Sequence, residues 1–297
     1  MGSYTSQELQ DAFLEQYIRT WSQSKGFASL LADGANYFSS DDHEFWNNAP
    51  NRGAYAVNTW TSSGRRAWLE IARDLYSTFQ TSKPITKFSV PPVSFLLADT
   101  RINRDGDRKN FMKPSDLDQV AQWVEQLQGP GVLVIGQPLL QTTTGFFKGQ
   151  FGDWNLPDFE QYHRLVDIVG DSPHTLVILT GDVHYGRISR SSLRSGGELI
   201  EIIASPLSLV DKKVQGRWEK APPKFPPVRP DTMAPSGLAQ GDVVTEASFA
   251  PTDSHFLTLE FTRRGPGALL RVRFWPVFKN QIPPREFGKT VWERVLS

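Results

Sequence analysis

The 297-residue sequence contains no cysteine, and its charges balance, with 32 basic and 32 acidic side chains. The absence of cysteine excludes disulfides, thiolate metal ligands and thiol nucleophiles. Because the formal net charge is zero, the chain lacks the basic excess on which general nucleic-acid binding depends. We therefore expect neither thiol chemistry nor general nucleic-acid binding.

Long apolar runs are also missing, and none approaches the length of a membrane-spanning helix. The first residues show no basic stretch followed by an apolar core, so no signal peptide is predicted and a cytoplasmic location is favoured. Hydrophobic residues make up 39% of the chain, which is enough for a sizeable core, and we expect one domain over residues 1–297. Residues 221–235 are rich in proline and predict an extended loop. Nothing in the sequence indicates an oligomeric state.

A strand and helix alternation runs through the chain up to residue 180, after which the pattern becomes that of antiparallel strands. A capping box at Thr5-Ser-Gln-Glu8 predicts a helix that extends to about Gly26. The other predictions are helices over 65–79, 117–127 and 159–169, strands over 93–98, 131–135, 174–180, 185–193, 198–204, 255–261 and 269–274, and a short helix near the end.

One polar motif, Gly181-Asp-Val-His184, directly follows the unbroken apolar strand. Such a run is typical of a central strand that is buried on both faces. Ligands collect at the carboxyl ends of strands in open α/β sheets. Asp182 and His184 are therefore either half of a metal site or part of a simple turn, with a capping carboxylate and a surface histidine.

A second polar motif reads Asp-Asp-His-Glu at residues 41–44, and Asn47 and Asn48 follow it. Consecutive like charges are costly unless a cation or hydrogen bonds offset them. Hard oxygen ligands together with imidazole suit Mn, Fe, Zn, Ca or Mg ions. The alternative interpretation is a solvated acidic loop that caps a helix.

Together the two motifs resemble the PhoD-like alkaline phosphatase family of the metallophosphoesterase superfamily. Residues 41–48 are similar to that family's DDHE…NN signature, and residues 181–184 to its GDVH. Asp99-Thr-Arg101 resembles a family strand that ends in Asp-x-Arg, and Gln137 stands where many relatives have a metal-binding histidine. The resemblance covers most of residues 6–275.

The resemblance implies an α/β fold, the α/β/β/α sandwich of the metallophosphoesterases. It also implies a dinuclear centre of Mn, Fe, Zn or Ca ions that hydrolyses phosphate monoesters or diesters. By this resemblance, the metal ligands are Asp41, Asp42, Asn48, Asp182 and His184.

Two further residues receive catalytic roles from the resemblance. His43 stands where a histidine contacts phosphate or protonates the leaving group. Arg101 is expected to bind phosphate, because its planar fork pairs with oxyanions. An ion pair of Arg101 with a local acid such as Asp99 or Asp42 is an equally good alternative.

The family's first metal ligands come from an Asp-x-His-like motif and a Gly-Asp motif, and residues 1–40 contain neither a histidine nor a Gly-Asp pair. We therefore expect a chain that lacks the family's N-terminal strands and holds an incomplete centre. A non-catalytic or truncated relative that acts as a binding module is the main alternative. A glycosidase or sugar-binding domain is a third hypothesis, suggested by nine tryptophans and many acids. It needs two carboxylates that flank a cleft.

Overall fold

The computed structural model describes residues 5–23, 26–53, 56–144, 152–205, 220–226, 241–249, 254–277 and 288–297. Its helices are α1 (Ser6–Trp21), α2 (Phe27–Ala32), α3 (Ser62–Phe79), α4 (Pro114–Glu125) and α5 (Tyr162–Gly170). Its strands are β1 (Ile85–Val90), β2 (Val93–Ala98), β3 (Gly131–Ile135), β4 (Leu176–Thr180), β5 (Gly186–Ser192), β6 (Glu198–Ile203), β7 (Lys224–Phe225), β8 (Gly241–Phe249), β9 (His255–Arg264), β10 (Gly267–Pro276) and β11 (Lys289–Leu296). Across these ranges, no helix is both long and apolar enough to span a membrane.

The strands form two sheets. The larger sheet has the order β1-β2-β3-β4-β6-β5-β8-β7, and its central strands β2, β3, β4 and β6 are parallel. Helix α4 connects β2 to β3, and α5 connects β3 to β4, as parallel neighbours require. The smaller sheet is antiparallel, in the order β11-β10-β9. Because β2, β3 and β4 are parallel neighbours, the chain leaves all three at the same edge of the sheet.

The core lies on both faces of the larger sheet. Along β4, Leu176 and Ile178 pack with helices α4 and α5, whereas Val177 packs against the smaller sheet. This alternation follows from the two-residue period of a strand and explains why β4 is apolar throughout. The predicted α/β class and the packing of a second, antiparallel sheet on the first are confirmed.

Helices α1 and α3 hold the segment that contains residues 41–50. Their aromatic side chains meet directly, with Tyr17 stacked on Phe79 at 4.7 Å and Phe13 edge-on to Trp68 at 5.8 Å between ring centroids. Trp68 also packs against a cluster that includes buried Phe45. The aromatic pattern of these helices therefore fixes the backbone next to the acidic motif.

Some predicted elements differ from the structure. Helix α1 has the predicted capping box but ends at Trp21. The short helix predicted near the end is wrong, because residues 289–296 pair with β10 as β11. Val291 and Trp292 suit that pleated, half-buried surface, and the tertiary pairing overrides helix propensity. Of the predicted proline-rich loop, residues 227–235 lie outside the described residues.

Truncation of a central-strand side chain tests this layer arrangement. Leu133 is fully buried in the core beneath the helices, so Leu133→Ala should lower the free energy of unfolding by about 2–5 kcal/mol in urea denaturation. Val90→Ala is the control, because Val90 is 62% exposed at the end of β1, and its cost should stay below about 1 kcal/mol. Equal losses for both variants would contradict the assigned core.

Candidate metal centre

The centre forms at the carboxyl-terminal edge of the larger sheet. Asp99 and Arg101 follow β2, Gln137 follows β3, and Asp182 follows β4. Because these three strands are parallel neighbours, the residues that follow them lie at one edge. Asp182 has a positive φ of 67°, a conformation that aspartate tolerates better than most residues.

The acidic motif folds over this edge as a short 3₁₀-helix, Asp42–Glu44. Asp41 caps it, since the Asp42 N–H donates to the Asp41 carboxylate at 2.6 Å. In return, the Asp41 N–H donates to Glu44 Oε2 at 2.7 Å, and Gln80 Nε2 donates to Glu44 Oε1 at 3.1 Å. Glu44 is therefore a capping residue, which is the part of the motif that the helix-cap interpretation describes correctly.

A buried carboxylate, Asp99, joins this segment to the sheet. Ser40 Oγ donates to Asp99 Oδ1 at 2.7 Å, and Tyr76 Oη donates to Asp99 Oδ2 at 3.0 Å. The N–H groups of Arg101 and Ile102 donate to Asp99 Oδ1 at 2.8 and 2.9 Å. Since Ser40 immediately precedes Asp41, Asp99 positions the acidic motif and Arg101 together.

Three of the predicted ligands converge. Asp41, Asp42 and Asp182 each offer a carboxylate oxygen, and these oxygens all lie within 4.8 Å of one another. We call these residues the three-carboxylate group. The Asn48 N–H donates to the Asp42 carboxylate from a residue whose φ is 69°. Asn48 is therefore held beside the group.

The two predicted histidines lie outside the three-carboxylate group. The His43 side chain is 69% exposed, and its Nε2 lies 3.9 Å from Asp42 Oδ1. It therefore stands at the solvent side of the group. His184 is half-buried, two residues beyond Asp182, and its ring nitrogens are not among the ligand atoms that converge there. The catalytic role of His43 and the ligand role of His184 stay predictions.

Arg101 is the central cation of the site, and its side chain is only 1% exposed. It makes a two-pronged pair with Asp153, with Nη1 to Oδ1 at 2.8 Å and Nη2 to Oδ2 at 2.6 Å. Nη2 also donates to Asp182 Oδ2 and lies 3.8 Å from Asp41 Oδ1. Arg101 thus pairs with local acids, but its direct partners are Asp153 and Asp182 and not the Asp99 or Asp42 named above.

Gln137 and Arg104 complete the Arg101 network, which we define as Arg101, Arg104, Gln137, Asp153 and Asp182. Gln137 Nε2 donates to Asp153 Oδ2 at 2.5 Å and to Asp182 Oδ2 at 2.6 Å. Its Oε1 accepts from Arg104 Nη2. At the position where many relatives of the resembled family have a histidine, this chain therefore has an amide that binds the carboxylates themselves.

The charges of the centre do not balance. The three-carboxylate group and the Arg101 network together contain four carboxylates and two guanidinium groups, so full ionisation of these side chains leaves an excess of two negative charges. Burial, and then the negative charge of Asp182, raise the pKa of Asp41 far above its ordinary value, although Arg101 opposes the shift. Burial is also the largest influence on Asp182 and by itself raises its pKa, but Arg101 and the hydrogen bonds with Asp41 and Gln137 together lower the pKa of Asp182. A cation bound beside Asp41 would oppose the rise in its pKa, because a nearby positive charge favours the ionised form of a carboxyl group.

The three-carboxylate group fits a hard metal ion. Three carboxylates at one point offer hard oxygen ligands, which suit Mg, Ca or Mn better than softer ions. Among the described residues, this is the one set of three or more acid or histidine ligands that converges in this way. These residues therefore fit one ion.

Sequence reasoning did not find Asp153 or Arg104. Asp153 lies in a loop with no strand-end or motif signal, and it meets Arg101 across 52 positions of the chain. Arg104 lies in a polar surface-like stretch, yet it is 5% exposed and donates to the carbonyl of Trp154 at 3.0 Å. Only the imbalance of buried charge at Arg101 would have indicated that another acid was needed.

Comparisons with known proteins do not establish a family. No model of a protein family matches the chain, and no curated protein matches it. Among solved structures, it is similar to the purple acid phosphatase PPD1 isolated from yellow lupin (Lupinus luteus) seeds, with a TM-score of 0.46 and 14% sequence identity. The match covers 95% of this chain and 44% of that protein, so the chain spans less than half of its length. Membership of the PhoD-like family stays a prediction.

Loss of the Asp99 carboxylate should uncouple the acidic motif from the sheet. In Asp99→Asn one acceptor oxygen becomes a donor, which leaves some of the buried O–H and N–H groups that bind Asp99 without an acceptor, and the free energy of unfolding should fall by roughly 2–3 kcal/mol. Asp118→Asn is the control, because Asp118 pairs with Arg164 at the surface and is 52% exposed, and its cost should stay below about 1 kcal/mol. Similar losses in chemical denaturation would argue against the positioning role of Asp99.

Asp41 should destabilise the metal-free protein as pH rises. Its folded-state pKa is raised, so its favourable contribution is present below the ordinary pKa of an aspartate and is lost as pH increases towards the folded-state pKa. Asp41→Asn removes this loss. In metal-free buffer, the stability of the variant relative to the native chain should therefore increase from pH 5 to pH 8, as measured by thermal denaturation. A difference in stability that decreases as pH rises would contradict the raised pKa of Asp41.

Proposed function

We propose that this chain is a metal-dependent hydrolase of phosphate esters, of the PhoD-like type, and that residues 1–297 form one domain. The convergence of Asp41, Asp42 and Asp182 within 4.8 Å carries the proposal. The two motifs that led to the resemblance lie about 140 positions apart in the sequence. If residues 181–184 were only a turn at the end of a strand, there would be no reason for the carboxylates of the two motifs to converge.

Bound at the three-carboxylate group, a divalent ion would polarise a phosphoryl oxygen and lower the pKa of a bound water. The protein residues have separate tasks around it. Asp42 is held by the Asn48 N–H, and Asp182 by Gln137, so both carboxylates keep fixed orientations before a substrate arrives. In this proposal, the exposed His43 donates a proton to the leaving group at the solvent side.

Of the two tasks expected for Arg101, this proposal assigns it the ion pair and not the binding of phosphate. Both terminal nitrogens of its guanidinium are engaged by carboxylates, and its side chain is buried. It therefore orients Asp182 and offsets the charge of the group. In this proposal, His43 and the ion contact the substrate directly.

Removal of metal should abolish hydrolysis. Activity towards aryl phosphate monoesters and diesters should disappear with a chelator and return with added Mn²⁺. Asp182→Asn should lower kcat/KM by at least about a hundredfold, because a ligand carboxylate is lost and metal catalysis contributes several kcal/mol. Asp118→Asn serves as the matched control and should retain the native rate, since Asp118 lies in an exposed surface pair.

Three results would contradict this function. Chelator-resistant hydrolysis would exclude a metal mechanism. Binding of phosphate esters without turnover, in the presence of Mn²⁺, would favour a non-catalytic binding module. Retention of oligosaccharides in chelator would favour the sugar-binding alternative.

A further inference from the structure

The Arg101 network contains a fixed positive charge next to the ligands of the proposed ion. Arg101 Nη2 donates to Asp182, lies 2.6 Å from Asp153 Oδ2 and lies 3.8 Å from Asp41 Oδ1. Two of these acids belong to the three-carboxylate group. One guanidinium nitrogen thus occupies the space between carboxylates that a second metal ion of a dinuclear centre would have to share.

Hydrogen-bond donors already surround the acid that a second ion would need. Asp153 Oδ1 accepts from Arg101 Nη1 at 2.8 Å and from the Trp154 N–H at 2.9 Å. Asp153 Oδ2 accepts from Arg101 Nη2 and from Gln137 Nε2. A metal ion at Asp153 would have to displace charge-assisted bonds on both oxygens, which are among the stronger hydrogen bonds in proteins.

The guanidinium cannot easily leave this position. Asp99 binds the backbone N–H of Arg101 at 2.8 Å, and the side chain is 1% exposed. Arginine also keeps its charge at all ordinary pH values. The site therefore contains a permanent monovalent cation, whatever its metal content.

We propose that Arg101 serves as the second cation of this centre, so that the chain binds one divalent ion beside a guanidinium instead of two metal ions. This inference rests on the proposed metal site and specifies its composition. One ion would neutralise the two excess negative charges that the guanidinium groups leave uncompensated. Arg101 would then be a positioning residue that also limits how strongly the ion is held.

The number of bound ions tests the proposal directly. The full chain is freed of metal, titrated with Mn²⁺, and examined by elemental analysis and electron paramagnetic resonance. We expect one Mn²⁺ per chain with the spectrum of an isolated ion. Two Mn²⁺ ions with an exchange-coupled spectrum would overturn the role of Arg101, while the proposed hydrolase function would stand.

Two substitutions of Arg101 separate the effect of its charge on the Mn²⁺ affinity from the effect of its shape. In Arg101→Met, the affinity for Mn²⁺ should rise by about tenfold or more, because a positive charge in contact with a ligand carboxylate is removed. Arg101→Lys retains the charge and should keep the native affinity within about threefold. Unchanged or weaker binding by a folded Arg101→Met variant would overturn the proposal.

Arg164→Met is the control for a general change of charge. Arg164 forms an exposed ion pair with Asp118, and its side chain is 51% exposed. Its loss should change the Mn²⁺ affinity by less than about threefold, because solvent and salt screen the removed charge. An equal effect at Arg164 would mean that general charge, and not the position of Arg101, sets the affinity. If neither the native chain nor Arg101→Met binds Mn²⁺, the metal site itself is refuted and the hydrolase function with it.

Discussion

The buried ion pair between Arg101 and Asp153 is the interaction on which the centre depends. Both partners are taken largely out of water, with side-chain exposures of 1% and 23%, and such a pair repays its desolvation only when its geometry is good and its remaining polar atoms are bonded. Here the pairing is two-pronged, and Gln137 and the Trp154 N–H bind the same carboxylate. Removal of Arg101 would leave Asp153 and Asp182 without their closest cation, so this pair fixes Asp153 and its neighbour Trp154 against the sheet edge.

Most of the fold could be predicted from local pattern. The apolar runs that become β3 and β4 and the helical spacing in α3 and α5 reflect burial on defined faces, which the sequence records directly. The final strand could not be predicted in the same way, because residues 289–296 become β11 only through pairing with β10. Its half-buried Val291 and Trp292 fit a helix or a strand equally well until the partner is known.

The centre could be predicted only in part. Asp42 and Asp182 stand in short motifs at recognisable positions, and a structure that brings parallel strand ends together unites them with Asp41. Asp153 carries no such signal, since its role depends on a contact made across 52 positions of the chain. The role of Gln137 could not be predicted from the sequence either. Its amide nitrogen binds the carboxylates of Asp153 and Asp182, and the sequence does not show that these two residues lie beside it.

The excess of carboxylates over guanidinium groups in the centre is itself evidence that the centre has a function. A chain selected for stability alone would gain from a neutral residue at Asp41, because the negative charge of Asp182 and burial both oppose its ionisation. Local features that lower the stability of the fold and have no structural role are expected at functional sites. The acidic motif supplies its own cap through Glu44, and Asp99 supplies the tether, so neither task requires the carboxylates of Asp42 and Asp182 to converge. A divalent cation gives that convergence a physical reason.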